Sequence, residues 1–186
     1  MIVTLSGITG IGKSFFKNVI VDELKFKNMV IVTTRPKRKN EINGIDKNFV
    51  SDDDFEELRH NKKIAVDFEF LGAKYGYKIE DLQSDENQVT EVHYNTIYDF
   101  KKNAKNVFAI YMIPSDFERA KKELLKRELP KDVEEKRLKE IEEHIKEFNS
   151  NKELQKQFDY IFINDYTENS KNKLLDIIRQ KLKGEM

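Results

Sequence analysis

The segment Gly7-Ile8-Thr9-Gly10-Ile11-Gly12-Lys13-Ser14 constrains this chain more than any other. It follows Ile2 to Leu5, a short apolar run rich in β-branched residues that reads as a buried strand. It opens Lys13 to Phe26, where Phe16, Val19, Ile20 and Leu24 share one helical face. Strand, glycine loop and helix in that order fit the pattern G-x-x-x-x-G-K-[ST]. The chain has only seven glycines, and three lie within these eight residues. Glycine lets the backbone wrap around phosphate oxygens with successive N–H groups pointing inward, and the helix start adds its positive dipole end. Lys13 would lie on the β- and γ-phosphates, and the Ser14 hydroxyl would hold Mg²⁺. A plain glycine turn with an exposed Lys13 is the bland alternative, and it leaves the full pattern in its strand–helix setting unexplained. The loop therefore predicts a nucleoside triphosphate held by residues Gly7 through Phe15, and says nothing of what receives the phosphate.

The remaining elements alternate. Met29 to Val32, Val89 to Val92, Val107 to Ile113 and Tyr160 to Ile163 read as strands. Helices are expected from Ser51 to His60, Tyr94 to Lys102, Asp132 to Phe148 and Asn169 to Leu182, with Ser115 and Glu118 as the capping box of another. This order predicts an α/β fold, a three-layer phosphate-loop architecture with a mostly parallel central sheet. Two stretches interrupt it. Residues 33–78 form an inserted, partly β lobe, with a hairpin of Ile64 to Phe70 and Lys74 to Tyr77 turning at Gly72. Residues 115–150 form a charged helical hairpin, leaving 1–32, 79–114 and 151–186 as the core.

Composition narrows the partners. The 34 basic and 34 acidic residues cancel, which argues against broad nucleic-acid binding and against general attraction to acidic membranes. The absence of cysteine excludes disulfides and thiolate metal sites. No apolar stretch approaches the ~18 residues of a membrane helix, and no basic segment leads into a long apolar run. The expectation is a soluble, cytoplasmic protein, monomeric or homodimeric.

The acceptor is sought in residues 33–50, TTRPKRKNEINGIDKNFV. Arg35 and Arg38 lie three apart in a loop stiffened by Pro36, and guanidinium forks grip phosphate bidentately. A solvated basic loop would read the same from charge alone. The segment resembles the monophosphate lobe of guanylate kinases, T-T-R-x-P-R-x-x-E-x-N-G-x-D-Y-x-F-V. Gly72-Ala73-Lys74-Tyr75-Gly76 is similar to that family's G-N-Y-Y-G, and Asn164-Asp165 to its V-N-D. Pro114-Ser115 falls where the family begins its lid. The resemblance runs in order along nearly the whole chain. It implies that Lys13 and Ser14 serve ATP and Mg²⁺, that Arg35, Arg38 and Tyr75 hold the phosphate of a nucleoside monophosphate, and that Glu41 supports their loop. It also places Arg127 and Arg137 on the transferring phosphoryl group and Asn164 near the adenine.

Three departures stand out. Lys47 replaces a tyrosine expected on the acceptor phosphate. Counting from Tyr75, Val66 and Tyr77 occupy the positions that read guanine, so neither offers a carboxylate; strand alternation turns Asp67 to the opposite face unless a bulge returns it to the site. Glu91-Val92-His93 replaces D-x-D, which keeps one carboxylate, Glu91, for the metal and makes His93 a strand-end histidine held by local hydrogen bonds. The expected function is Mg-dependent phosphoryl transfer from ATP to GMP or dGMP. The rivals are a kinase of the same scaffold for another nucleotide or a small phosphorylated acceptor, a non-catalytic binding module, and a plain nucleoside triphosphatase.

Overall fold

The structure is a computed structural model, and it describes residues 1–126 and 129–185. Five strands, β1 (Ile2–Gly7), β2 (Lys27–Asn28), β7 (Gln88–Glu91), β8 (Val107–Pro114) and β9 (Tyr160–Asn164), form a parallel sheet in the order β2-β7-β1-β8-β9. Its inner strands β1 and β8 alternate between two buried faces, as a covered parallel sheet requires, while Ile161 and Ile163 of the edge strand β9 are exposed. Val3, Leu5, Phe108, Ile110 and Met112 face α1 (Lys13–Leu24) and α8 (Glu168–Lys183), meeting Phe16, Ile20, Leu174 and Ile178. Ile2, Ala109 and Tyr111 face the other way, toward Leu82 of α3 (Ile79–Leu82), Phe100 of α4 (Ile97–Asn103), Leu154 of α7 (Lys152–Gln155) and Phe158. Among the described residues, no helix is long and apolar enough to cross a membrane.

A second sheet carries the inserted segment. β3 (Val32–Thr33), β4 (Asn48–Phe49), β5 (Ile64–Phe70) and β6 (Ala73–Lys78) lie in the order β4-β3-β6-β5, backed by α2 (Asp52–His60). Ser51 and Asp54 cap α2 reciprocally, and three aspartates occupy its positive end. The β5–β6 hairpin turns through Leu71 and Gly72, both left-handed at φ 50° and 74°, a geometry whose twist matches the flanking strands. α5 (Phe117–Leu125) and α6 (Lys131–Ser150) form the helical segment after β8.

Two expectations are corrected. Met29 to Val32 is not one strand: the chain leaves the central sheet after Asn28 and enters the second sheet at Val32, so its apolar residues cross between sheets. Ser115 does not cap α5. Its N–H donates to the Asn164 carbonyl and prolongs the β8–β9 ladder, so the cap falls to Asp116, whose carboxylate accepts from the Glu118 N–H at 2.9 Å.

Candidate active site

Parallel pairing sets the crevice. Leu5 of β1 stands beside Glu91 of β7, so the loop after β1 and the carboxyl end of β7 open on the same side. The loop needs its glycines. A Cβ at Gly7 would lie 2.5 Å from the Met112 carbonyl oxygen, one at Gly10 2.3 Å from that of Ala120, and Gly7, Gly10 and Gly12 all have positive φ. The Lys13 ammonium bends back over the loop and donates to the carbonyls of Gly7 and Ile8, both at 2.8 Å. The Ser14 hydroxyl donates to the Glu91 carboxylate at 2.8 Å. Burial raises the Glu91 pKa, but the charges of Lys47, Lys13 and Lys17 and the Ser14 hydroxyl outweigh it and hold the carboxylate below its usual value. Lys47 is shifted down, first by burial, with Glu91 opposing. A hydroxyl and an ionised carboxylate side by side are hard oxygen donors and suit Mg²⁺, which takes few protein ligands when phosphates and water supply the rest. No group of three or more His, Cys, Asp or Glu able to hold a metal occurs among the described residues.

The same cleft, about 400 Å³, runs from Gly12, Lys13 and Ser14 to Arg35, Arg38 and Lys47. Glu41 organises that far end. One carboxylate oxygen receives the Arg35 guanidinium at 2.7 Å, and the other receives the Arg38 backbone N–H at 2.8 Å. Burial pulls the Glu41 pKa up, yet its bonds to Arg35 and Arg38 leave it below the ordinary value, so it stays ionised. Arg35 also lies over the Phe49 ring and donates to the Pro36 carbonyl. Tyr75 completes this wall.

Several expected site residues are elsewhere. A bulge exists in β5, between Ile64 and Val66, but it does not bring Asp67 in. Asp67 pairs with Gly76 on the α2 side and its carboxylate lies 3.7 Å from Arg59. Tyr77 is fully buried beneath the cleft, with its hydroxyl donating to the Glu91 carbonyl at 2.8 Å. Val66 is buried beside it in the same apolar cluster. Asn164 is buried too: its amide donates to the Ile11 carbonyl and its oxygen accepts from the Tyr166 N–H, so it braces the phosphate loop from behind and has no exposed edge for an adenine. Arg137 of α6, by contrast, lines the cleft and lies over the Phe70 ring, 5.0 Å from its centre. Arg127 lies outside the described residues.

Other residues of the site have little local signature. Lys17, one helical turn after Lys13, is buried and acts on Glu91; the four-residue spacing was its only signal. Glu140 of α6 accepts from Thr9 at 3.1 Å and stands 3.6 Å from His144, whose ring bonds the Tyr111 hydroxyl at 2.8 Å. Phe68, Phe70 and His93 also line the cleft. The His93 Nδ1 accepts from the Asn95 N–H, a local bond of the kind expected for a strand-end histidine.

A parallel sheet with a glycine loop after its first strand, a lysine folded on that loop and a hydroxyl–carboxylate pair at adjacent strand ends defines a phosphate-loop nucleotide-binding protein. The sequence model of the family described as guanylate kinase matches residues 1–181, and the chain belongs to the guanylate kinase family. It is an ATP-dependent phosphotransferase, a nucleoside monophosphate kinase of the guanylate kinase type. The guanylate kinase of Malacoplasma penetrans is 28% identical over 189 residues, covering 97% of this chain and 93% of that protein. That of Bacillus subtilis is 26% identical over 184 residues, covering 96% and 87%. The crystal structure of guanylate kinase from Anaplasma phagocytophilum shares the fold with a TM-score of 0.73 at 21% identity, over 97% of this chain and 85% of that one.

Proposed function

We propose that this protein transfers the γ-phosphoryl group of ATP to the phosphate of GMP or dGMP, giving GDP or dGDP and ADP. The observation that carries the reading is the single cleft joining the glycine loop and Lys13 to the Arg35–Glu41–Arg38 cluster. An oxygen of the acceptor's phosphate attacks the γ-phosphorus as the bond to the β-phosphate oxygen breaks, and ADP leaves. The attacking group is already an anion, so no strong base is required; positioning and charge neutralisation suffice. Arg35, Arg38, Lys47 and Tyr75 fix the acceptor. Lys13 leaves the Gly7 and Ile8 carbonyls for the β- and γ-phosphates, and Arg137, with Arg127 by family likeness, meets the transferring group. Ser14 and Glu91 would hold Mg²⁺, which screens phosphate charge when bound. Division of the chain into a core, a monophosphate lobe at 33–78 and a lid at 115–150 follows from these roles, and a cytoplasmic setting suits both substrates.

The test is ADP release from ATP and Mg²⁺ with GMP, dGMP, AMP, CMP, UMP and dTMP offered in turn. Stimulation led by GMP or dGMP supports the reading. ATP hydrolysis indifferent to every monophosphate overturns it. A second reading, acceptance of other bases, is favoured by the burial of Val66 and Tyr77 and the outward turn of Asp67.

A further inference from the structure

We propose that this chain holds the acceptor's base against an aromatic wall of Phe68, Phe70 and His93, with no carboxylate on the base edge, and therefore does not read the 2-amino group that distinguishes guanine from hypoxanthine. The inference rests on the monophosphate-kinase reading above. With the phosphates assigned to Lys13, Arg35 and Arg38, the lining left for a base includes Phe68, Phe70, His93 and Tyr94.

The wall follows from the register of β5. After the bulge, Val66 packs in the cluster beneath the cleft, and Phe68 and Phe70 follow on the same face. Asp67 and Glu69 point the other way and are exposed. Phe68 stacks on Tyr75 with centres 5.1 Å apart, and His93 stands 5.4 Å from Phe68 and 5.0 Å from Phe70. Flat rings of this kind hold any base by its π-face.

Among the described residues four carboxylates line the cleft, Glu41, Glu91, Glu123 and Glu140, and each already has a partner. Glu41 holds Arg35, Glu91 accepts from Ser14, Glu123 pairs with Lys126 and Glu140 accepts from Thr9. None of the four is carried on β5 or at position 93; Glu140, the one beside His144 and Tyr94, is held by Thr9 of the glycine loop. His93 supplies the opposite polarity. Its Nδ1 accepts from the Asn95 N–H, which leaves the ring hydrogen on Nε2 as a donor toward a base oxygen or ring nitrogen. A site built to pair with a base edge rejects an analogue lacking one group by ~10⁴-fold or more, whereas shape alone gives ~10- to 200-fold.

The decisive comparison is GMP against IMP, which differ only in the 2-amino group. The expected kcat/KM values lie within about tenfold of one another. Phe70→Leu, which keeps apolar bulk, should raise KM at least about tenfold for both acceptors and leave the KM for ATP unchanged. His93→Glu places a carboxylate at the wall and should raise the GMP-to-IMP ratio about tenfold or more. A wild-type preference for GMP over IMP beyond about a hundredfold overturns the inference while leaving the kinase reading intact. An unchanged ratio in His93→Glu removes His93 from the base edge and overturns it as well. No transfer to any monophosphate would sink both readings together.

Discussion

Glu41 touches no phosphate in the proposed reaction, yet its loss should be felt at the acceptor. Its carboxylate joins the Arg35 guanidinium at 2.7 Å to the Arg38 backbone N–H at 2.8 Å, and the Arg35 and Glu41 side chains are only 13% and 17% exposed. Charge-assisted hydrogen bonds are worth ~1.5–3 kcal/mol each, so the two together set a ceiling of ~3–6 kcal/mol. Arg35 keeps the Pro36 carbonyl and the Phe49 ring after Glu41→Ala, and water can enter the opened cleft, which lowers the expected loss to ~2–3 kcal/mol. At ~1.4 kcal/mol per tenfold, kcat/KM for the monophosphate should fall about 30- to 150-fold. Glu41→Gln keeps one acceptor for either Arg35 or Arg38 and loses the charge, so it should fall between the two. The assay is steady-state ADP release with each substrate varied in turn. KM for ATP should move less than about twofold, because Glu41 lies at the opposite end of the cleft from Lys13. An Ala variant with an unchanged acceptor KM, or with its loss confined to ATP, would refute the assignment of Arg35 and Arg38 to the acceptor phosphate.

Three further outcomes can be checked. Gly10→Ala sets a Cβ 2.3 Å from the Ala120 carbonyl oxygen at φ 86°, so ATP binding measured by calorimetry should weaken at least about tenfold while the far-ultraviolet circular dichroism stays native. Asp67→Asn should leave acceptor KM within about twofold, since the carboxylate faces Arg59; a large rise would return Asp67 to the site. Burial, and then His144, depress the His93 pKa from 6.5 to about 4, and burial also lowers that of His144 against the pull of Glu140. Phe68, Phe70 and Tyr94 pack on the His93 ring, and Glu140 and Glu147 oppose the shift. The unfolded chain protonates the His93 ring as pH falls through 6.5 and the folded chain does not until about 4. Stability is therefore full above 6.5 and falls across that window, by about 3 kcal/mol from His93 alone. A urea midpoint that is the same at pH 7.5 and 4.5 would contradict this.

The parts of the site legible in the sequence are those written in one short segment. Gly7 to Ser14 announces its own turn, because its three glycines all take positive φ within a few residues of the lysine they serve. Arg35, Arg38 and Glu41 likewise share one loop. Residues misplaced by sequence depend on packing across elements. Tyr77 shares a strand face with Tyr75, and only the depth of β6 against Phe100 and the Glu91 carbonyl buries one and leaves the other on the cleft. Asn164 sits beside a nucleotide loop, but the turn at Tyr166, left-handed at φ 63°, takes its amide oxygen and the Ile11 carbonyl takes its amide nitrogen. The Thr9–Glu140 bond spans 131 residues, and no local pattern could announce it.

That last bond changes how the cleft must work. The glycine loop is usually pictured as a rigid cradle to which a separate lid comes down. Here the loop is already gripped from outside by the elements that follow β8. Gly10 packs on the Ala120 carbonyl of α5, Thr9 bonds Glu140 of α6, and the Ile11 carbonyl is taken by Asn164 at the end of β9. Glu140 is shared with His144, which stacks on Tyr94, and Tyr94 adjoins His93 on the aromatic wall. Arg137, one turn before Glu140, lies over Phe70 of the same wall. Helix α6 therefore touches the triphosphate loop and the proposed base wall through side chains one helical turn apart. A rigid helix cannot shift at one contact and stay still at the other. Filling one half of the cleft is therefore expected to change the affinity of the other, equally in both directions by linkage; calorimetric titration of each nucleotide with and without its partner checks this, and identical affinities would refute it.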